Sequence, residues 1–342
     1  MDAVKSTSRI VRLLAIAVVL ALVVTTGVAC KPEPQAEQPE VKIAFLYAIA
    51  NPERAGGWDR ADWPGIVYLR DELGWEVAIA ENVAYSDSWN IARNYADNGY
   101  DIIVFPSNGF LDAYLEVAPE YPNTWFIMTS LTDTLPNSPR SAAWVPDMYM
   151  YGAVVGMIAA KASETGVIGV SGGMPIPVLE LMYSGIIEGA KYVNPDARVI
   201  VSWAGDWVDI PKHREITELQ IQQGADVIFT VTGPATTGVF EAAEAGGAKV
   251  IGYAADWYDD APNAVLTSLI VDKKRMYVDM ANQFLSDTLE KKMVMCGAEY
   301  FSIADFRGSL PDDKVAEIQD LFEKVKAGEI VIPVVEHPEV GP

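Results

Sequence analysis

Short apolar runs rich in β-branched residues alternate with amphipathic stretches from about residue 41 to residue 330. Repeated strand–helix–strand units bury both faces of a sheet, so this alternation predicts an α/β fold with mostly parallel sheets and helices on both faces. The predicted strands are Val41–Ala48, Glu76–Glu81, Asp101–Phe105, Thr124–Thr129, Ser141–Val145, Val167–Ser171, Arg198–Ser202, Asp226–Val231, Lys249–Tyr253 and Val265–Ile270.

Helical patterns fill most of the intervals between these strands. The last pattern has Pro311 in its first turn and is followed by Gly328, an arrangement typical of helix ends. The predicted helices are Trp63–Leu73, Ser88–Asn98, Leu111–Glu120, Tyr149–Ser163, Val178–Val193, Lys212–Gln223, Thr236–Ala245, Lys273–Leu289 and Pro311–Ala327.

A weak internal repeat indicates two similar halves. Residues 95–110 (YADNGYDIIVFPSNGF) and 220–235 (QIQQGADVIFTVTGPA) both run from a helix end through Gly, one residue and Asp into a short apolar strand. Gly99 and Asp101 align with Gly224 and Asp226 at an offset of 125 residues, near half the folded length. The alternative is that all strand–helix–strand units share this pattern.

The first residues have the features of an export signal. Three basic residues precede an apolar run from Leu13 to Val24. This run is shorter than the roughly 20 residues that a membrane-spanning helix needs, but it suits a signal peptide. We therefore expect residues 1–29 to be a signal peptide.

Cys30 follows a series of small residues, as the cysteine of a bacterial lipidation site does, although Gly27 stands where Leu is usual. Residues 31–40 are polar and rich in proline, as expected of a flexible tether. We expect lipidation at Cys30 and a tether over residues 30–40. The alternative is an ordinary secretory signal in which the cysteine is incidental.

Charge and cysteine content exclude several classes of function. The whole chain carries a net charge of −22, and since residues 1–29 carry three bases and one acid, the remainder carries −24. Such a surface repels nucleic acid and anionic lipid headgroups. With only His213 and His337, a histidine-based catalytic triad or a multi-histidine metal site is nearly excluded. Cys296 has no disulfide partner if Cys30 is acylated.

Aromatic and glycine residues gather where the predicted strands end. Ligands of parallel α/β sheets bind beyond the carboxyl ends of the strands, and indole rings provide flat stacking surfaces. This placement favours a flat, largely apolar ligand, although a single tryptophan more often belongs to a core. The tryptophans in these loops are Trp58, Trp63, Trp203, Trp207 and Trp257.

Several segments also occur in a recognisable order. They are Gly56–Trp58 with Gly65, Ala118–Pro122 (APEYP), Gly169–Pro177 (GVSGGMPIP), Glu188–Pro195 (EGAKYVNP), Gln223–Phe229 (QGADVIF), Val265–Ser268 (VLTS) and Gly328–Pro333 (GEIVIP). On these segments, the chain from about Val41 to Pro333 resembles the basic-membrane-protein family of ABC-transporter substrate-binding lipoproteins, which includes purine-nucleoside receptors.

The resemblance implies a two-lobe, type 1 periplasmic-binding-protein fold with three hinge crossovers and a small ligand held between the lobes. Lobe 1 would comprise residues 41–146 and 258–296, and lobe 2 residues 147–257 and 297–335. The protein would be an exported monomer without a cofactor, anchored by its lipid to the outer face of the cell membrane. Its partners would be a purine-like ligand and the permease subunits of the transporter.

The resemblance also assigns binding residues. Trp63 matches the aromatic residue that stacks on the purine, and Trp58 matches a second aromatic of the same motif. Other matched residues lie in loops that line the cleft. The predicted ligand-binding residues are Trp58, Asp59, Trp63, Ser107, Asn108, Gly109, Phe110, Met174, Pro175, Trp207, Thr232, Gly233, Asp256 and Trp257.

The chain departs from the nucleoside-binding pattern. Ala55 stands where members of the family have an Asp that faces the base, and the acid and lysine that hold the ribose are absent at Ala254 and Val271. Asp256 and Lys273 lie two residues further on. The segment Trp203–Trp207 (WAGDW) looks more like a subgroup thought to bind free bases such as adenine.

The sequence leaves two alternatives. A sensor of the same fold would present its closed form to a signalling partner in the membrane instead of a permease. An exported glycoside-type hydrolase would need a pair of carboxylates. The acids available for such a pair are Asp59, Asp62, Asp206, Asp209 and Asp256. We expect a binding protein and no enzyme, because acids are common on the solvated faces of so acidic a chain.

Overall fold

The computed structural model describes residues 41–337, 340 and 341. The predicted signal peptide, the tether and Cys30 lie outside the described residues. Within them, twelve strands form two six-stranded sheets. In spatial order the first sheet contains β11 (Lys292–Cys296), β5 (Ser141–Pro146), β4 (Trp125–Met128), β3 (Ile102–Phe105), β1 (Lys42–Leu46) and β2 (Glu76–Ala80).

The second sheet repeats this arrangement. Its strands are β12 (Phe301–Ile303), β10 (Val265–Val271), β9 (Lys249–Ala254), β8 (Val227–Val231), β6 (Val167–Gly172) and β7 (Arg198–Trp203). Neighbouring strands are parallel in both sheets, except that β12 runs antiparallel to β10. The predicted α/β fold with mostly parallel sheets is confirmed.

The internal repeat corresponds to equivalent places in the two sheets. The two segments lead into β3 and β8, and the glycines before these strands have positive φ values, 74° at Gly99 and 100° at Gly224. The following aspartates bind neighbouring backbone: Asp101 accepts from the Lys42 amide at 2.9 Å and Asp226 from the Glu164 amide at 2.7 Å. The repeat therefore reflects the similarity of the two lobes.

Helices cover both sheets, and none of those in the described part of the chain has the length and apolar character needed to cross a membrane. The helices are α1 (Gly57–Arg60), α2 (Trp63–Val67), α3 (Ser88–Asp97), α4 (Leu111–Val117), α5 (Met148–Ala162), α6 (Pro177–Val193), α7 (Ile210–Gln222), α8 (Thr236–Gly246), α9 (Lys273–Leu285) and α10 (Asp312–Lys326).

The chain crosses between the two lobes three times, after β5, after β10 and after β11. Hydrogen bonds join the crossing segments: the Asp147 amide donates to the Cys296 carbonyl at 2.9 Å, and the Asp272 amide to the Tyr300 carbonyl at 2.7 Å. The three expected hinge crossovers are therefore present, and they bring the carboxyl ends of the two sheets to face one cleft.

One part of the predicted lobe division differs from the structure. The resemblance places residues 258–296 in lobe 1, but β10 pairs in parallel with β9 of the second sheet. The chain returns to the first lobe only with α9, which packs so closely against α2 that a Cβ atom on Gly65 would lie 2.2 Å from the Tyr277 ring. The crossover thus lies after Val271 and not before Tyr258.

Candidate functional site

A cavity of about 500 Å³ lies in the cleft between the sheets, at the carboxyl ends of their strands. Its volume is within the range of sites that bind small molecules, and its position is the one predicted for parallel sheets. The lining residues are Gly56, Gly57, Trp58, Asp59, Tyr85, Ser107, Asn108, Gly109, Ser130, Leu131, Pro146, Met148, Ile176, Pro177, Val178, Leu179, Trp207, Val231, Gly233 and Tyr253. We call this space the interlobe cavity.

Half of the predicted binding residues line the interlobe cavity. The first lobe provides residues of α1 and of the loop after β3, and the second lobe provides residues that follow β7 and β8. These predicted residues are Trp58, Asp59, Ser107, Asn108, Gly109, Trp207 and Gly233.

Trp63 does not line the interlobe cavity. Its side chain borders a second cavity of about 410 Å³, which is also lined by Arg60, Asp256 and Lys274. The reason is local: α2, which begins at Trp63, packs against α9, and the indole borders the cavity beside that contact instead of the interlobe cavity. The structure therefore does not support Trp63 as the residue that stacks on the ligand.

Three further predicted residues are used in packing. Phe110 is 1% exposed and meets the Tyr85 ring edge-on at 5.0 Å. The Trp257 indole N–H donates to the Tyr253 carbonyl at 2.9 Å. The Thr232 hydroxyl lies 3.0 Å from the Thr236 hydroxyl and is buried. Burial and satisfied hydrogen bonds keep these side chains out of the interlobe cavity.

The remaining misplaced predictions are Asp256, Met174 and Pro175. Asp256 is paired with Arg307, with 2.7 Å between Oδ2 and Nη2. Partial burial raises the pKa of its carboxyl, but the bonds from Arg307 and the Tyr258 amide outweigh this effect and lower the pKa. Met174 and Pro175 belong to the loop before α6, but the residues that reach the cavity here are Ile176, at the end of this loop, and the first three residues of α6.

Trp58 is held in place on several sides. Its indole N–H donates to the Pro106 carbonyl at 2.8 Å, and the Lys273 ammonium lies 3.9 Å from the ring centre. The Tyr253 ring of the second lobe is nearly parallel to the indole, at 15° and 6.5 Å between centres. Because the N–H is already bonded, the indole is available to a ligand chiefly as an aromatic surface.

A fully buried ion pair supports this indole. Lys273 and Asp62 are both 0% exposed, and 3.1 Å separates Nζ from Oδ2. Lys273 also donates to the Trp58 carbonyl at 3.0 Å, and the Tyr277 hydroxyl donates to Asp62 at 2.5 Å. Burial raises the pKa of Asp62 and the Lys273 charge opposes this. Every polar atom of the pair thus has a protein partner.

Asp59 has a different environment, although it precedes Asp62 by only three residues. Its carboxylate lines the interlobe cavity and accepts no hydrogen bond from another described residue. Burial raises its pKa to about 6; the Lys273 charge opposes this effect and the Asp62 charge adds to it. A partly buried carboxylate that accepts from no other residue is suited to accept a hydrogen bond from a ligand.

Glycines allow the first lobe to approach the second at this site. A Cβ atom on Gly57 would lie 1.8 Å from the Tyr253 carbonyl oxygen, and one on Gly56 would lie 2.8 Å from the Gly233 Cα. At the edge of the cleft, Arg60 pairs with Asp260 at 2.7 Å. The lobes therefore meet around the interlobe cavity, and only glycine fits at residues 56 and 57.

Sequence reasoning missed several lining residues. Ser130 and Leu131 follow β4, and the loop after this strand carries no tryptophan. The rule that ligands bind beyond strand ends would have included them. Tyr85 and Tyr253 carried no such signal, because Tyr85 follows the loop after β2 and Tyr253 lies inside β9.

Within the described residues, no group of three or more His, Cys, Asp and Glu residues could hold a metal ion.

Comparisons with known proteins agree with this architecture. The family model for PnrA-like ABC transporter substrate-binding proteins, Bmp, matches residues 54–336. A purine-binding protein of Brucella abortus (strain 2308) is 28% identical over 312 residues, which cover 89% of this chain and 85% of that protein. An ABC transporter nucleoside-binding protein of Lactococcus lactis subsp. cremoris (strain MG1363) is 27% identical, over 59% of this chain and 58% of that protein.

Solved structures share the fold. The solute-binding protein of an ABC transporter system from Conexibacter woesei superposes with a TM-score of 0.74 and 23% identity, covering 86% of this chain and 99% of that one. A transcriptional activator of the comK gene from Bacillus halodurans gives a TM-score of 0.72 and 23% identity, covering 84% and 98%. With the family match extending over most of its length, the chain belongs to the Bmp family of PnrA-like ABC transporter substrate-binding proteins.

Proposed function

We propose that the protein is an extracytoplasmic receptor that binds a free purine base in the interlobe cavity and delivers it to an ABC permease. The observation that carries this proposal is the cavity itself, with the fixed faces of Trp58 and Tyr253 and the unpaired Asp59 carboxylate. Aromatic surfaces suit a flat ring, and a few polar groups suit its heteroatoms. The purine-binding and nucleoside-binding relatives support the same class of ligand.

The charged residues near the cavity favour a base over a nucleoside. Asp256 and Lys273 lie two residues beyond the positions whose acid and lysine hold the ribose in nucleoside-binding members of the family. Asp256 is paired with Arg307, and Lys273 is buried against Asp62, so neither side chain lines the interlobe cavity. A sugar would therefore lack the charged partners that hold it in nucleoside-binding members of the family.

Closure around the ligand is the expected mechanism. Because the lining residues come from both lobes, a ligand that touches both stabilises the closed form by its higher affinity for that form. The permease would then recognise the closed protein. The lipid anchor predicted at Cys30 would hold the receptor at the membrane during this exchange.

Calorimetric titration tests the proposal. The chain from Lys31 is unfolded and refolded to remove any ligand carried through purification, then titrated with purine bases and nucleosides. We expect a base such as adenine to bind more tightly than adenosine. Binding of neither would refute the proposed ligand class, and preferential binding of nucleosides would refute the assignment of a free base.

A signalling function is the second candidate. It is favoured by a relative described as a transcriptional activator protein, med, of Bacillus subtilis (strain 168), which is 25% identical over 68% of this chain and 72% of that protein. Ligand-dependent uptake of the base in cells that express the chain with its permease would favour transport. Unchanged uptake after deletion of the chain, with a ligand-dependent change in gene expression, would favour signalling.

A further inference from the structure

Asp59 is the one residue with a carboxylate, ammonium, guanidinium or imidazole group among the described residues that line the interlobe cavity. The other polar groups of the lining are hydroxyls, the Asn108 amide, the Trp207 indole and backbone. Hydrogen bonds to a charged acceptor are stronger than those between neutral groups. Among the lining groups, the Asp59 carboxylate is therefore the one whose hydrogen bond has the largest effect on which ligand is bound.

The charged and titratable groups around Asp59 leave this carboxylate free for a ligand. Lys273 is directed to Asp62 and to the Trp58 carbonyl, and Asp62 accepts from Lys273 and Tyr277. The hydroxyls of Tyr47 on the β1 side and Tyr253 on β9 remain protonated, because burial raises the pKa of each and the Asp59 charge adds to this effect. None of these groups donates a hydrogen bond to Asp59.

We propose that Asp59 selects a free purine base over its nucleoside by accepting the hydrogen bond of the ring N–H that a glycosidic bond replaces. This inference rests on the proposed function. A free purine carries an N–H on its five-membered ring, whereas a nucleoside carries the sugar on that nitrogen. A ligand without this N–H leaves the partly buried carboxylate without a partner, and such unmatched polar groups account for much of ligand discrimination.

The protonation of Asp59 gives this selection a signature. The pKa of Asp59 is about 6 in the free protein, so the carboxyl is partly protonated near that pH. A ligand N–H binds the ionised form, so binding releases a proton when the pH is near or below 6. By the linkage of protonation to binding, affinity is constant above about pH 7 and falls about tenfold for each pH unit below 6.

The test compares adenine with 9-methyladenine, in which a methyl group replaces the ring N–H without adding a sugar. The refolded chain from Lys31 is titrated with both at pH values from 5 to 8, in buffers that differ in ionisation enthalpy. We expect adenine to bind at least tenfold more tightly at pH 7.5, and to release about half a proton at pH 6. Binding of 9-methyladenine should not be accompanied by this proton release.

Variants assign the effect to a residue. In Asp59→Asn the affinity for adenine should be independent of pH from 5 to 8, and the ratio of affinities for adenine and 9-methyladenine should fall toward one. Asp313→Asn is the matched control, because Asp313 is exposed on α10 and does not line the cavity. It should keep the proton release and the ratio of the wild type.

The outcomes separate this inference from the proposed function. Equal affinities for adenine and 9-methyladenine, or adenine binding without proton release at pH 6, would overturn the role of Asp59 while leaving a purine receptor in place. Failure of every purine base and nucleoside to bind between pH 5 and 8 would overturn both. The wild-type titrations decide the question even if Asp59→Asn does not fold.

Discussion

Asp59 and Asp62 lie three residues apart at the same edge of the first lobe, but they differ in what surrounds them. Asp62 is fully buried and accepts hydrogen bonds from Lys273 and Tyr277. Asp59 faces the interlobe cavity without a donor. The sequence shows two similar acids, and the structure shows one that is paired inside the fold and one that lines the interlobe cavity.

The comparison explains how a binding site can tolerate a charge in a largely apolar cleft. The paired carboxylate balances Lys273, which in turn lies against the Trp58 ring at 3.9 Å and fixes it. The unpaired carboxylate lowers the stability of the ligand-free protein, and a ligand that donates a hydrogen bond to it offsets this loss. Substitutions at both acids and at the neighbouring tryptophans can separate these roles.

The largest expected effect is at Asp62. Asp62→Asn leaves the Lys273 ammonium buried without a counter-charge, so we expect the free energy of unfolding at pH 7 to fall by about 3–5 kcal/mol. Urea denaturation followed by tryptophan fluorescence measures this change. A loss below about 1 kcal/mol would mean that Asp62 does not balance Lys273 as the structure shows.

Trp58 and Trp63 form a matched pair for ligand binding. Trp58→Ala removes an aromatic surface of the interlobe cavity, and we expect a loss of about 1–3 kcal/mol in the binding free energy of a purine base. Trp63→Ala should change binding little, because its side chain borders the second cavity. Calorimetric titration of both variants measures this, and a larger loss in Trp63→Ala would reverse the assignment.

The effect of Asp59 on stability depends on pH. Its pKa rises from the ordinary 3.8 to about 6 on folding, so its favourable contribution is complete below about pH 4 and is lost as the pH rises through 6. Asp59→Asn should therefore stabilise the ligand-free protein by about 1–3 kcal/mol at pH 7.5, and have little effect at pH 4.

Thermal or urea denaturation at the two pH values measures the difference. Its sign is opposite to that expected for Asp62→Asn, so the two variants control for each other. Destabilisation of the ligand-free protein by Asp59→Asn at pH 7.5 would show that the carboxylate has a stabilising partner after all.

The smallest expected effect is at the edge of the cleft. Arg60 pairs with Asp260 across the lobes, but their side chains are 27% and 41% exposed. Exposed ion pairs contribute about 0.2–1 kcal/mol, so Arg60→Ala should weaken ligand binding by no more than this. Calorimetric titration of Arg60→Ala measures this, and a loss above about 1 kcal/mol would show that the pair contributes more to closure than its exposure indicates.

Much of the fold followed from the sequence because apolar periodicity determines which segments become strands. All ten predicted strands are present, with bounds that differ by a residue or two. The two strands that were missed are β11, which has few β-branched residues, and β12, which has three residues in total. The third crossover between the lobes lies between these two strands, and local sequence does not show which strand either of them would pair with.

The candidate site is predicted from the sequence less completely than the fold, because strand-end loops can be predicted but the directions of their side chains cannot. Trp58 and Trp63 lie in the same loop region, yet the packing of α2 on α9 sends them to different cavities. Lys273 and Asp62, 211 residues apart in the chain, meet beneath Trp58. Such long-range contacts determine which acid is paired with Lys273, and they cannot be predicted from the order of residues.

The central claim is that the interlobe cavity holds a free purine base. Calorimetric titration of the refolded chain with adenine and adenosine at pH 7.5, repeated with Trp58→Ala, tests it most directly. The structure predicts tighter binding of adenine, weakened about tenfold or more in the variant. Failure of purines to bind, or binding that Trp58→Ala leaves unchanged, would contradict the assignment of this cavity.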